Sequence, residues 1–283
     1  MDRSIAVDAH HHVWELAVRD QPWTTGLAAI HRSFSLEDLT PALLACDVRS
    51  TIVVQTLNVV DETPELLDLA RRSPVVAGVV GWVDLVGTGV GDDVARLRAR
   101  PGGEYLKGVR HVAQGEDERW FARPDVLDGL RQVEATGLTY DILVHHQQLP
   151  AAIEAVAARP GLRFVLDHFG KPPIKSGELE PWKTNMLQLA RHENVAVKFS
   201  GLVTEADHST WRVSDLAPFV DVVLSAFGAG RVMFGSDWPV CLVAASYAEV
   251  VDSAEQLTSG LSSAERSALF GGTASAWYGL AGR

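Results

Sequence analysis

A short run of β-branched and apolar residues followed by a helical stretch recurs eight times along this chain of 283 residues. The runs are the one that opens at Ile5, then 51–57, 75–83, 106–112, 138–144, 162–167, 195–199 and 231–234. Between them the spacing predicts helices over 36–46, from Thr63-Pro64 onward, and over 90–100, 124–135, 149–158, 182–192 and 214–226, then 247–257 and 262–270. Alternation of this kind calls for a parallel sheet with helical crossovers. Many runs are apolar at successive positions, the pattern of strands covered on both faces. Eight such units in a chain of this length match a single (β/α)8 TIM barrel, α/β in class. A doubly wound sheet of six or seven strands is the rival. No composition break or internal repeat divides the chain, so 1–283 reads as one domain. Segment 15–33 reads as a long loop from the first strand, lying over the strand ends, and extra helices close the C-terminus.

Bulk properties exclude several classes. With 47 % hydrophobic and 22 % charged residues the chain is not disordered. A net charge of -11 argues against a nucleic-acid partner. No apolar run reaches the length of about 20 residues that a bilayer requires. Cys46 and Cys241 are too few for a disulfide framework and too far apart for a zinc finger. Met1-Asp2-Arg3-Ser4 leads straight into the first strand with no secretory pattern. The expectation is a cytoplasmic enzyme with a small-molecule substrate, without a nucleic-acid or membrane partner, and with homo-oligomerisation left open.

A barrel of this type carries its chemistry at the C-terminal ends of the strands. There the sequence places His10, His11 and His12, Trp82 and Asp84, Arg110-His111, His145-His146, Asp167-His168 and Gly235-Ser236-Asp237-Trp238-Pro239. Seven of the ten histidines fall at such ends, and His31, His192 and His208 do not. Strand alternation turns His10 and His12 to one face and His11 to the other. Asp8 shares their parity and is expected beneath them, orienting an imidazole. Only one of His145 and His146 can face the barrel axis. Each residue also has a plain reading: His168 as a satisfied core histidine, Asp237 as a turn former, Arg110 and Lys171 as solvated charges, the tryptophans as packing. Gathered at one end of one barrel, they read as a site.

Asp8-x-His10-x-His12, Leu166-Asp167-His168-Phe169-Gly170-Lys171-Pro172 and Gly235-Ser236-Asp237-Trp238-Pro239 together resemble the amidohydrolase superfamily. The similar branch holds sugar-lactone lactonases (fuconolactonase- and rhamnonolactonase-like) and pyrone-dicarboxylate lactonases. Lys107-Gly108-Val109-Arg110-His111 and Gly81-Trp82-Val83-Asp84 also resemble it. The resemblance implies a constellation of His10, His12, His168 and Asp237, with Arg110 and His111 beside the substrate. These imidazoles and the carboxylate form an N/O set suited to one divalent ion, Zn or Mn. Without a metal, His10 and His12 would donate to the substrate carbonyl and Asp237 alone would activate water. Strand five departs from the branch, reading His145-His146 where sugar lactonases carry arginine. This makes His145 a further candidate ligand, as in related decarboxylases. Lys107 stands at the start of strand four, so a bridged two-metal centre is not expected.

The expected activity is hydrolysis of a sugar or carboxylated lactone by water activated by Asp237 and a metal. Asp237, His168 and Arg110 are the candidate catalytic groups. Arg110, His111, Trp82, His145, Lys171 and Trp238 are the candidate substrate contacts, the basic ones suiting an anionic substrate or product. A metal-dependent decarboxylase or hydratase, with His145 as ligand and His168 as acid/base, is the alternative. A binding protein without turnover is a third.

Overall fold

Strands β1 (Ile5–His11), β2 (Val48–Val54), β3 (Val76–Gly81), β4 (Leu106–Val112), β5 (Thr139–Leu143), β6 (Phe164–Leu166), β7 (Val195–Phe199) and β8 (Val232–Phe234) lie side by side in chain order, every neighbouring pair parallel. This is a computed structural model describing residues 5–280. Met1-Asp2-Arg3-Ser4, on which the expectation of no leader rests, lie outside the described residues. Beyond β8 the chain returns to β1: Trp238 bridges His11 in parallel, His12 N donates to Trp238 O (2.7 Å), and Asp237 N donates to His10 O (2.8 Å). The sheet is thereby a nearly closed (β/α)8 barrel.

Helices α1 (Leu36–Ala45), α2 (Glu62–Arg72), α3 (Val90–Arg98), α4 (Pro124–Thr136), α5 (Leu149–Ala158), α6 (Trp182–Leu189), α7 (Leu202–Glu205) and α8 (Val213–Phe227) fill the connections. After β8 follow α9 (Tyr247–Leu257), α10 (Ser263–Ser267) and α11 (Thr273–Tyr278). No helix among the described residues is long and apolar enough to cross a membrane. Boundaries track local chemistry. Ser35 caps α1 by accepting from Asp38 N while Asp38 accepts from Ser35 N, two orphan donors satisfied reciprocally. β2 stops at Val54, short of the predicted Leu57. The Glu62 carboxylate takes the backbone N–H groups of Thr56 and Leu57, drawing them out of the ladder.

Two apolar layers hold the barrel. Leu39, Leu67, Leu130 and Phe219 from the helices are buried against the outward side chains of the strands. Each such side chain contributes about 1.5–3 kcal/mol by leaving water. Inside, Val7, Ala9, Ile52, Val54, Val80, Val165, Ala196 and Met233 form a second cluster with Ala274 and Tyr278 of α11. Residues from six different strands meet only on the barrel axis, so this cluster is the lower filling. The upper filling is polar and belongs to the site.

One irregularity decides what β1 presents. The β1–β2 register slips between Asp8 and His11, three steps on β1 against two on β2. Such a bulge resets which side chains face inward. Val7 and Ala9 face the axis below it, and His10 and His12 converge above it. Asp8 stays outside: its carboxylate accepts from His10 N, Ser236 N and the Tyr247 hydroxyl of α9. The expectation that Asp8 orients an imidazole is therefore corrected. It instead clips the β1–β8 seam.

Candidate active site

His10 and His12 come from β1 and the residue just past it, Asp237 from the turn after β8, and His168 from the turn after β6. His10 Nε2 and His12 Nε2 are 3.1 Å apart. Asp237 Oδ1 lies 3.6 Å from His12 Nε2, 3.8 Å from His10 Nε2 and 3.9 Å from His168 Nε2. His11 turns away and meets Thr51 Oγ1 at 2.9 Å, as alternation predicts. His168 and Asp237 both occupy left-handed backbone (φ 53° and 57°), a conformation costly for non-glycine residues and concentrated at functional sites. Gly201, after β7, is left-handed as well (φ 63°). A Cβ there would stand 2.6 Å from His168 Nδ1 and 3.0 Å from Asp237 Oδ2.

Burial pushes the Asp237 carboxyl up, but His168, His12 and Lys171 together outweigh it and hold the group below its usual range. Burial lowers His168 to about 4 and, with the nearby Lys198 ammonium, holds His10 well below its ordinary value. The site thus sets an ionised carboxylate against the neutral imidazoles of His10 and His168. His12 Nδ1 lies 2.7 Å from Val54 O, which can only accept, so Nδ1 carries a proton and Nε2 is the atom turned to the cluster. His168 Nδ1 meets Ser200 Oγ at 2.8 Å. His10, His168 and Asp237 offer ligand atoms all within 4.8 Å of one another. With His12 Nε2, 3.1 Å from His10 Nε2, this buried N/O set fits a divalent ion.

Beneath them lies a buried layer of paired charges. Arg110 donates to Asp167 Oδ2 (2.8 Å), Gln55 Oε1 (3.1 Å) and the Gln55 carbonyl. Lys198 from β7 reaches Asp141 Oδ2 (2.6 Å), Asp167 Oδ1 (3.0 Å) and His10 Nδ1 (3.1 Å). The Tyr278 hydroxyl donates to the same Asp141 oxygen at 2.6 Å. Lys198, His10 and Arg110 hold Asp167 well below the usual carboxylate range despite its burial. Sequence reasoning missed Lys198, Asp141 and Tyr278 as site residues, and placed Asp167 at its strand end without a role. A signal existed for the first two: a lone charge inside an otherwise apolar parallel strand has nowhere to go but the barrel interior.

The site opens into a cavity of about 630 Å³, within the range of small-molecule sites. His12, His168, Asp237, Arg110, His145 and Lys171 line it, as do Pro22, Trp23 and Leu27 of the long β1 loop. His208, set aside in the sequence because it ends no strand, also lines it, with Gln114, Thr204 and Glu205. Three expected contacts do not. His111 follows Arg110 on β4 and so points outward. It stacks on Trp120 (4.4 Å between ring centres) and accepts from Trp82 Nε1 at 3.2 Å, which takes Trp82 away from the cavity too. Trp238 is buried, its ring edge-on to Phe34 at 5.3 Å. His145 reaches the mouth, 3.5 Å from Gln114 Nε2, and is not among the clustered ligand atoms. His146 turns off to the Lys171 carbonyl.

Fold and site together define a (β/α)8 enzyme with a histidine–carboxylate centre at the C-terminal mouth of its barrel. The family model described as amidohydrolase matches residues 7–280, and the chain belongs to that family of hydrolases. It is 40% identical to the L-fucono-1,5-lactonase of Burkholderia multivorans over 98% of this chain and 97% of that one. It is equally identical (40%) to the L-fucono-1,5-lactonase of Burkholderia ambifaria, over 86% and 83%. A crystal structure of a Burkholderia multivorans amidohydrolase with bound zinc superposes with a TM-score of 0.92 at 38% identity, covering 98% of this chain and 100% of that one.

Proposed function

We propose that this protein hydrolyses a sugar lactone, with Asp237 taking the proton from the attacking water and delivering it to the leaving ring oxygen. One observation carries the reading: an ionised, buried carboxylate stands within 3.9 Å of three imidazoles on the floor of a cavity sized for a small ring. Asp237 is below its usual range, so it is available as a base at neutral pH. The imidazoles beside it supply donors and lone pairs to orient the carbonyl and the water. The opened alkoxide stays tethered to its acyl group, so a single proton carrier suffices. His10, His12, His168 and Asp237 would hold a divalent ion, which when bound lowers the pKa of water towards about 7 and polarises the ester carbonyl. A relative with zinc bound supports a divalent ion in this family.

Charge bookkeeping in the cavity favours a neutral, polyhydroxylated lactone over a carboxylated one. Arg110 is already paired with Asp167 (2.8 Å) and Lys171 with Glu205 (2.9 Å). A dicarboxylate would meet two cations whose charge is already balanced. This revises the anionic substrate that the basic residues suggest in the sequence. The two relatives named as L-fucono-1,5-lactonases point the same way.

A panel of L-fucono-1,5-lactone, other aldonolactones and pyrone dicarboxylate, followed by acid release, tests the reading. Turnover of at least one aldonolactone without carbon dioxide release is the expected result. Carbon dioxide release with no lactone opening would replace it with the decarboxylase reading.

A further inference from the structure

We propose that Trp23 is a specificity-determining residue, an inference that rests on the lactone reading above. Its indole, fixed in the long loop after β1, is the platform on which the carbon face of the lactone ring lies.

The cavity wall has two chemical sides. In a barrel with its strands in chain order, β8 and β1 adjoin, and β4 and β5 stand across the axis from them. Over the β8–β1 seam the wall is apolar: Pro22, Trp23 and Leu27 from the β1 loop, Val240 and Val243 from the segment after β8. Across the axis, the loops after β4 to β7 contribute Gln114, His145, Lys171, Glu205 and His208, every one a hydrogen-bonding group. The lactone of an aldonic acid has the same division, with hydroxyls spread around its edge and C–H groups over its faces. Carbons that bear oxygen leave their C–H hydrogens slightly positive, and the face of an aromatic ring is negative. An indole therefore attracts such a ring face, where an aliphatic side chain offers only contact area.

Trp23 is held as a platform must be. Six large apolar side chains stand well exposed among the described residues, and Trp23, at 39 %, is the only aromatic one and the only one on the cavity wall. Its Nε1–H already donates to Oε1 of buried Gln21 at 2.7 Å, so ring carbon is what it offers the cavity. Its ring meets Trp14 edge to face at 5.3 Å, and the row continues through Phe34 to Trp238 at the same spacing. Trp14 is itself buried and pinned by its Nε1–H to the Arg32 carbonyl at 2.6 Å. Trp238 follows Asp237, so the four rings tie the loop to the turn that carries the carboxylate. A side chain fixed before the ligand arrives loses little rotamer freedom on binding, and its exposed area converts to affinity.

Steady-state hydrolysis of L-fucono-1,5-lactone, or of whichever aldonolactone is opened fastest, tests Trp23→Ala, Trp23→Leu and Trp23→Phe, with the opened acid as a competitive inhibitor. Trp23→Ala is expected to raise KM and the inhibition constant together by about 10–100-fold. Its kcat should stay within about threefold, because a platform binds ground state and transition state alike. Trp23→Phe keeps a ring face and is expected to return both constants to within about fivefold of the unmodified protein. Trp23→Leu keeps apolar bulk without a ring face and is expected to behave like the alanine variant. Unchanged constants in Trp23→Ala overturn the proposal, as does a leucine variant that performs as well as phenylalanine. A loop that merely collapsed would lower kcat and the thermal unfolding midpoint in all three variants, and that result overturns it too. If the unmodified protein opens no aldonolactone, the lactone reading fails and the platform with it; lactone turnover indifferent to Trp23 sinks the platform alone.

Discussion

Asp237 and Arg110 are both charged, both buried and both at the cavity floor, yet their replacements are expected to fail in different ways. Asp237 faces the imidazoles of His12, His10 and His168 at 3.6, 3.8 and 3.9 Å, so its charge serves the chemistry. Asp237→Asn removes the base and keeps the shape. Turnover should fall about 10²–10⁴-fold with an unchanged circular dichroism spectrum; near-normal turnover would take Asp237 out of the mechanism. Arg110 instead neutralises Asp167 at 2.8 Å, both groups being buried. Arg110→Met takes away one of the two cations that hold buried Asp167, leaving Lys198 at 3.0 Å, and should cost about 3–5 kcal/mol in urea unfolding. Loss of substrate binding with full stability would return Arg110 to the role of a free carboxylate clamp, as the sequence suggests. Both residues are legible as site candidates because polar groups at the ends of apolar strands stand out. Their roles are not, since a role depends on what lies across the barrel. His111 shows the same limit: its neighbour Arg110 takes the inward face, so strand alternation sends it to Trp120.

At the level of elements, the seam between β1 and β8 and the turns after β6 and β7 set the geometry. His168 and Asp237 hold left-handed backbone, and Gly201 makes the space between them. Gly201→Ala puts a methyl group 2.6 Å from His168 Nδ1, and the imidazole must move. A displacement on the scale of one ångström at a reacting group costs about 10²-fold, so activity should drop by that order in a variant that still folds. Full activity in the alanine variant would mean that His168 is not positioned through this contact. The strands and most helices are legible from periodicity. The β1 bulge is not: it adds a residue without leaving a glycine or proline to mark it, and it moves Asp8 from the imidazole side to Tyr247. The capture of β2's end by Glu62 is hidden for a related reason, because it depends on where α2 is docked.

Across the whole molecule, the cost of keeping so many histidines buried and neutral should appear as pH-dependent stability. Burial lowers His168 to about 4 and His11 to about 3 from an ordinary value of 6.5. The unfolded chain therefore binds more protons than the folded one between about 6.5 and those values. Stability is full above that window and is lost as pH falls through it, by up to about 1.4 kcal/mol per pH unit for each histidine. Unfolding midpoints of chelator-treated protein, measured from neutral pH down to about pH 4, should fall steadily. A flat profile would show that these imidazoles are not buried as neutral groups.

By itself the sequence determined the barrel, since eight apolar runs alternating with amphipathic stretches leave few other ways to bury both strand faces. It also determined which polar residues stand at the strand ends. Tertiary structure alone decided which of them meet. Closure brings residues 10, 12 and 237 to one seam, and the inward face of β5 and β7 sets Asp141 and Lys198 beneath them. Such pairings join residues up to 227 positions apart (His10 and Asp237), and no local pattern encodes a contact across a barrel axis.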